Sequence, residues 1–129
     1  MPNVIRDTQA MLVNMTPVLT DGEFVFCTTK DVNADALPLA LSWFREDEGV
    51  TLILARADAR SLGFWDTLPM RRIVLEVFSA LDGVGLTAAV AGALAAQGIP
   101  CNMVAAFHHD HVFVPAALAE RAIAVLKDV

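Results

Sequence analysis

A glycine-rich segment over residues 82–87 (DGVGLT) carries the groups best suited to hold a small anion. Gly83 and Gly85 allow the backbone to approach a ligand closely, because neither has a Cβ atom. The segment ends where an alanine-rich helix is predicted to begin, so main-chain amides and the helix dipole would favour a carboxylate there. Thr87 adds a hydroxyl donor, whereas Asp82 repels an anion and suits an ammonium group. The alternative is that the glycines serve only the turn and that Asp82 or Thr87 caps the helix.

Residues 108–111 (HHDH) place three histidines and one aspartate together, and imidazole and carboxylate groups are ligands for zinc or nickel. Adjacent strand residues point to opposite faces, so His109 and His111 could share a side while His108 points away. No second cluster of ligand residues occurs in the sequence, and histidine and aspartate are also ordinary turn residues. We therefore expect no metal and no other cofactor, and His109 with His111 is the pair that could hold a metal if one binds.

Both cysteines, Cys27 and Cys101, lie inside apolar runs, where burial raises the pKa of a thiol and lowers its reactivity. They are predicted to be reduced side chains of a cytosolic protein. The charged run over residues 45–48 (REDE) is predicted to be a solvated turn rather than a pair of catalytic carboxylates. The sequence also lacks G-x-S-x-G, P-loop and H-E-x-x-H motifs. We therefore expect that the protein is not an enzyme.

The chain of 129 residues is apolar and acidic, with 56% hydrophobic residues, nine Lys and Arg, fifteen Asp and Glu, and a net charge of −6. This composition excludes disorder and a general phosphate-binding surface for nucleic acid. Residues 83–107 are an uncharged stretch of 25 residues, which is long enough to span a bilayer. Because Gly98 and Pro100 would break such a helix, two buried elements of a soluble domain are predicted instead. We expect a cytoplasmic protein with no nucleic-acid or membrane partner.

The first half of the chain is predicted to contain a helix over residues 3–16, a strand over 23–29, a hairpin over 39–54 and a helix over 55–62. The strand is aromatic and β-branched, and the hairpin consists of apolar segments around a charged turn. Gly63 is expected to end the second helix. Four aromatic residues are expected in the core, although they could instead line a pocket between the two halves: Trp43, Phe44, Phe64 and Trp65.

The second half is predicted to have the order β-α-β-β-α, with a strand over 72–78, a helix over 86–97, strands over 101–107 and 111–114, and a helix over 115–127. Leu86, Val90 and Leu94 would share one face of the first helix, and Gly98 would end it. The first half repeats this order but has no clear helix after its leading strand. This indicates two degenerate copies of one unit.

Residues 84–90 (VGLTAAV), 95–100 (AAQGIP) and 108–115 (HHDHVFVP) resemble the ACT domain, a ferredoxin-like ligand-binding module. The pattern is similar to the ACT subfamily of CASTOR-type amino-acid sensors and of small bacterial tandem-ACT proteins of unassigned function. Residues 22–27 (GEFVFC) and 44–52 (FREDEGVTL) resemble the N-terminal segment of those bacterial proteins.

The resemblance implies an α+β fold of two ACT-like ferredoxin-type (βαββα) units with antiparallel sheets and helices on one face. A degenerate unit would span residues 1–67 and an ACT domain residues 68–129. The resemblance also implies a non-catalytic regulatory module that binds a small molecule, most simply an amino acid. The implied binding residues are Asp82, Gly83, Val84, Gly85, Leu86, Thr87, Asn102 and Met103.

Open sheet edges expose unpaired backbone groups, so a homodimer through sheet edges or helices is expected. The alternative function is a structural or protein-interaction module without a small ligand.

Overall fold

The structure is a computed structural model, and it describes residues 15–77 and 85–129. These residues form two compact units, of which one is Gly22–Met70 and the other combines residues 15–21 with Arg71–Val129. The sequence-based division at residues 67 and 68 treated each unit as one continuous segment, and it stays a prediction. The helix expected over residues 3–16 lies outside the described residues except for its last two positions, and so do Asp82, Gly83 and Val84.

The described chain is α+β, as predicted. In chain order its strands and helices are β1 (Thr16–Leu19), β2 (Phe24–Thr29), β3 (Ser42–Glu46), β4 (Gly49–Ala55), α1 (Arg56–Ser61), β5 (Met70–Glu76), α2 (Leu86–Ala96), β6 (Asn102–Ala105), β7 (Asp110–Pro115) and α3 (Ala119–Lys127). Short 3-10 helices occupy Leu37–Leu39 and Ala116–Leu118. No helix among the described residues is long and apolar enough to cross a membrane.

The unit Gly22–Met70 is built on the antiparallel strands β3, β4 and β2, in that spatial order. The predicted hairpin is confirmed, but its turn is shorter than expected, because Arg45 and Glu46 belong to β3. Glu46 pairs with Gly49 around a two-residue turn. Gly49 has a φ of +152°, and a Cβ atom there would lie 2.5 Å from the carbonyl oxygen of Thr29, so only glycine fits. Alternate residues of β2 and β4 face α1 and the 3-10 helix Leu37–Leu39. The buried core of this unit consists of Val25, Cys27, Ala36, Val50, Leu52, Leu54 and Ala59.

The second unit has the strand order β1-β5-β7-β6, with α2 and α3 packed on one face. β1 pairs antiparallel with β5, as in the register Val18 to Val74. In a βαββαβ unit this outer position belongs to a strand that follows the second helix, whereas here the N-terminal segment supplies it. The core consists of residues from the strands, both helices and the turn after α2: Met15, Ile73, Leu75, Val77, Leu86, Val90, Leu94, Ile99, Val112, Val114, Ala119, Ala122, Ile123 and Leu126.

The sequence analysis missed β1, and its placement of Thr16 in a helix is wrong. The segment contains Pro17, which cannot donate to a strand partner and usually argues against a strand. β1 tolerates the proline because it lies at the edge of its sheet, with β5 as its only described neighbour.

The expectation that all four aromatic residues are core residues is also wrong. Trp65 is 84% exposed, Phe44 70% and Trp43 46%, and only Phe64 packs against the core of its unit. Trp43 and Phe44 are neighbours on an edge strand, so they point to opposite faces and only one of them can face the core.

Candidate functional site

Gly85 directly precedes α2 and has the left-handed backbone conformation, with a φ of +106°. Its carbonyl oxygen accepts a 2.8 Å hydrogen bond from the amide of Ala89, which begins the helical ladder. Within the described residues no side chain caps the first turn. A helix of 11 residues therefore begins behind a glycine, with its dipole favouring negative charge at this end.

The two predicted site residues that follow Gly85 differ in what they contact. Leu86 is 4% exposed and shares a buried stripe with Val90 and Leu94, as the spacing predicted. Thr87 is exposed, so its hydroxyl faces the surface. Of this pair, Leu86 anchors the helix to the core and Thr87 has a side chain that can contact a ligand.

Asn102 and Met103 begin β6, where they pair with Phe113 and Val112 of β7. Met103 packs against the core below the helices, whereas Asn102 is exposed on the opposite face of the strand. The 11 residues of α2, about 16 Å of helix, lie between Gly85 and the turn that leads to Asn102. Within one chain the glycine and the β6 residues are therefore at opposite ends of α2, and the structure does not bring them together.

The histidine-rich segment forms the turn between β6 and β7, closed by a 3.1 Å hydrogen bond from the amide of Ala106 to the carbonyl of His109. Asp110 is 9% exposed, and this burial raises its pKa. Burial lowers the pKa of His111, and the positive charge of Arg72 adds to the effect. Across residues 15–77 and 85–129, no group of three or more His, Cys, Asp or Glu side chains could hold a metal ion.

Both cysteines are free thiols. The Cys27 Sγ lies 3.8 Å from the carbonyl oxygen of Trp65, to which it donates a weak hydrogen bond. Burial raises the pKa of Cys27 and also that of Cys101. Because the thiolate is the nucleophilic form, neither position favours nucleophilic catalysis.

The sequence analysis missed a cleft of about 290 Å³ in the unit Gly22–Met70. Its sequence signal is the presence of the large apolar residues Trp65 and Leu68 in the connection between α1 and β5, outside any helix or strand. Leu68 is 60% exposed and Trp65 is 84% exposed. The lining residues are Val25, Phe26, Trp65, Thr67, Leu68 and Met70.

The loop that carries Trp65 is held by an ion-pair network. The Asp66 carboxylate accepts a hydrogen bond from the Arg60 Nε and lies 3.4 Å from the Arg56 Nε. Arg56 also donates a 2.9 Å hydrogen bond to the Glu23 carboxylate. The hydrogen bond from Arg60 lowers the pKa of Asp66. The backbone beside Trp65 is thus fixed while its ring faces solvent.

Comparison with family models gives two matches in tandem. ACT domain models match residues 4–71 and residues 70–128. The chain belongs to the ACT domain family. ACT domains are generally regulatory modules that bind small molecules, and this protein carries two of them.

Two solved structures resemble this ACT protein over most of its length. A Vibrio cholerae protein, described as of unknown function and a possible transport protein, is 39% identical with a TM-score of 0.83, covering 92% of this chain and 91% of its own. An Agrobacterium tumefaciens protein is 17% identical with a TM-score of 0.72, covering 88% and 87%, and it shows the shared fold alone. No curated protein matches the sequence.

Proposed function

We propose that this ACT protein is a non-catalytic regulatory module that binds an amino acid at the N-terminal end of α2. The observation that carries the proposal is the left-handed Gly85 ahead of an 11-residue helix without a side-chain cap among the described residues. The first-turn amides would donate to the ligand carboxylate, and the exposed Thr87 hydroxyl would add a further hydrogen bond. Asp82 is the proposed partner of the ammonium group.

The proposal includes a homodimer, because one chain holds the predicted residues at opposite ends of α2. A ligand that touches both Gly85 and Asn102 would have to lie between two copies, with Asn102 and Met103 contributed by the second copy. Regulation would then follow from a ligand that binds one arrangement of the copies more tightly than another. The free cysteines are consistent with the reducing cytoplasm, where we place the protein.

A structural or protein-interaction module without a small ligand is the second candidate function. The exposed Trp65 and Leu68 favour it, because apolar side chains grouped at a surface are typical of protein contacts. The two candidates predict different responses to free amino acids.

A thermal-shift screen against the common amino acids tests the proposal. A ligand at ten times its Kd stabilises the folded protein by about 1.4 kcal/mol, which is a rise of about 5 °C in Tm for a domain of this size. Gly85→Val should abolish this rise, because the added side chain occupies the space beside the first-turn amides.

Gly98→Val is the matched control for Gly85→Val. Gly98 lies just past the opposite end of α2 with a φ of +70°, and a Cβ atom added there would have no neighbour within 4 Å beyond the adjoining residues. Both variants strain a left-handed position, so each shift is compared with its own ligand-free Tm. A full rise retained in Gly85→Val would move the site elsewhere, and the absence of any rise in the natural protein would favour the ligand-free module.

A further inference from the structure

The cleft of the unit Gly22–Met70 forms where the pairing of β2 with β5 stops. Phe24 and Met70 are the register pair that joins these two strands in the described chain. The pairing extends no further toward residue 68 within the described residues, so the connection over residues 65–69 leaves a gap beside β2. This gap is the cleft of about 290 Å³.

The walls of the cleft are apolar apart from two hydrogen-bonding groups. Val25 is 2% exposed and Met70 is 6% exposed, so packing fixes both side chains. Trp65 and Leu68 extend from the connection and are exposed. The Thr67 hydroxyl and the Trp65 indole N–H are the side-chain N–H and O–H groups of the six lining residues. The cleft thus offers a ligand an apolar base, an aromatic face and one hydroxyl group.

The charged residues beside the cleft compensate one another. Asp66 contacts both Arg60 and Arg56. Arg56 also donates to the carboxylate of Glu23, so two carboxylates and two guanidinium groups form a network without net charge. The six lining residues carry no charge themselves. Because a charged group loses solvation at an apolar surface and gains no partner there, the cleft favours a neutral ligand.

The connection that carries Trp65 is held on both sides of this residue. The Phe64 amide donates a 2.9 Å hydrogen bond to the carbonyl of Ala59. The Trp65 carbonyl oxygen lies 3.8 Å from the Cys27 Sγ, and the next residue, Asp66, belongs to the ion-pair network. The indole ring is therefore 84% exposed on a fixed backbone. A ligand that covers the ring does not have to order the loop first, which preserves its affinity.

We propose that this cleft binds a neutral aromatic molecule of one or two rings, which stacks on Trp65. A dry cavity of about 150 Å³ binds benzene, so about 290 Å³ is sufficient for a bicyclic ring system. Offset stacking is a favourable arrangement for two aromatic rings. The Thr67 hydroxyl can exchange a hydrogen bond with an N–H or O–H group on the ligand. This site lies in the unit that does not contain α2, and it does not depend on the proposed amino-acid site.

An NMR titration of the full chain with indole tests the inference. The protein has two tryptophans, and the indole N–H signal of Trp65 should shift to saturation while that of Trp43 should not. Trp65→Ala should weaken indole binding roughly tenfold, as measured at the amides of Thr67 and Leu68, because the stacking face is lost. Trp43→Ala is the matched control, since Trp43 is 46% exposed and does not line the cleft. Thr67→Val should weaken binding about fivefold through loss of one hydrogen bond.

A second pair of probes tests the aromatic character of the ligand. Phenol and cyclohexanol have the same heavy atoms and one hydroxyl group each, but only phenol has an aromatic face. Cyclohexanol should bind at least about threefold more weakly than phenol. Equal affinities would overturn the aromatic class. Indole shifts that do not saturate, or equal weakening by Trp65→Ala and Trp43→Ala, would overturn the site. Neither result bears on the amino-acid site, because indole has no carboxylate group.

Discussion

Replacing Gly49 with alanine tests the geometry of the β3–β4 hairpin and its packing against β2. A Cβ atom at this position would lie 2.5 Å from the Thr29 carbonyl oxygen and 3.4 Å from the Lys30 Cα. Both contacts are with backbone, so a rotamer change cannot relieve them. The hairpin would have to move away from β2, which would weaken the pairing between Thr29 and Val50.

Gly63→Ala is the control for Gly49→Ala, because it measures the cost of a left-handed backbone at alanine without a close contact. Gly63 has a φ of +80° and no atom within 4 Å of its Cβ position, so alanine there should cost about 1 kcal/mol for the left-handed backbone alone. Gly49→Ala should cost at least about 2 kcal/mol more, because the close contact adds to the strain. The free energy of unfolding in urea measures both. Equal losses in the two variants would refute the assigned position of Gly49 against β2.

Two further predictions concern His111 and Leu94 in the second unit. The free energy of unfolding should fall as the pH drops from about 7.5 through the ordinary His pKa of 6.5, because the lowered pKa of His111 makes the folded state bind fewer protons than the unfolded chain. In urea titrations at a series of pH values, His111→Gln should flatten this dependence. An unchanged slope would contradict the assigned burial of His111. The raised pKa of Asp110 acts in a separate window, in which stability is lost as the pH rises above 3.8. Leu94→Ala should cost about 2–5 kcal/mol of unfolding free energy, since Leu94 is fully buried, whereas Leu68→Ala at an exposed site should change it by less than about 0.5 kcal/mol. Similar losses in the two leucine variants would be inconsistent with the core described above.

Much of the fold follows from local patterns. The aromatic and β-branched composition predicted β2, and the apolar segments around a charged turn predicted the β3–β4 hairpin. The spacing of Leu86, Val90 and Leu94 predicted the buried face of α2. These elements could be predicted because the composition and spacing of the apolar residues within each segment are sufficient to indicate its structure.

The features that were missed depend on the tertiary fold. β1 is four residues long and contains a proline, and it forms a strand because its backbone pairs antiparallel with β5. The exposure of Trp43 and Phe44 depends on β3 having one strand neighbour in the described part of the chain, and no local sequence pattern predicts that.

The geometry of the candidate site also depends on the tertiary fold and could not be predicted from local sequence patterns. Its parts, at Gly85 and at Asn102, were identified from resemblance and spacing. Their separation by α2 follows from the path of the chain, so the sequence alone did not show that a single chain cannot bring them together.

The most direct test of the central claim is a ¹H–¹⁵N NMR titration of the natural protein with each amino acid that raises its Tm. We predict that the largest amide shift changes occur at Gly85, Leu86, Thr87 and Ala88, where the ligand carboxylate would accept hydrogen bonds from the first turn of α2. Shift changes confined to the Trp65–Leu68 loop, with the α2 amides unmoved, would contradict the account.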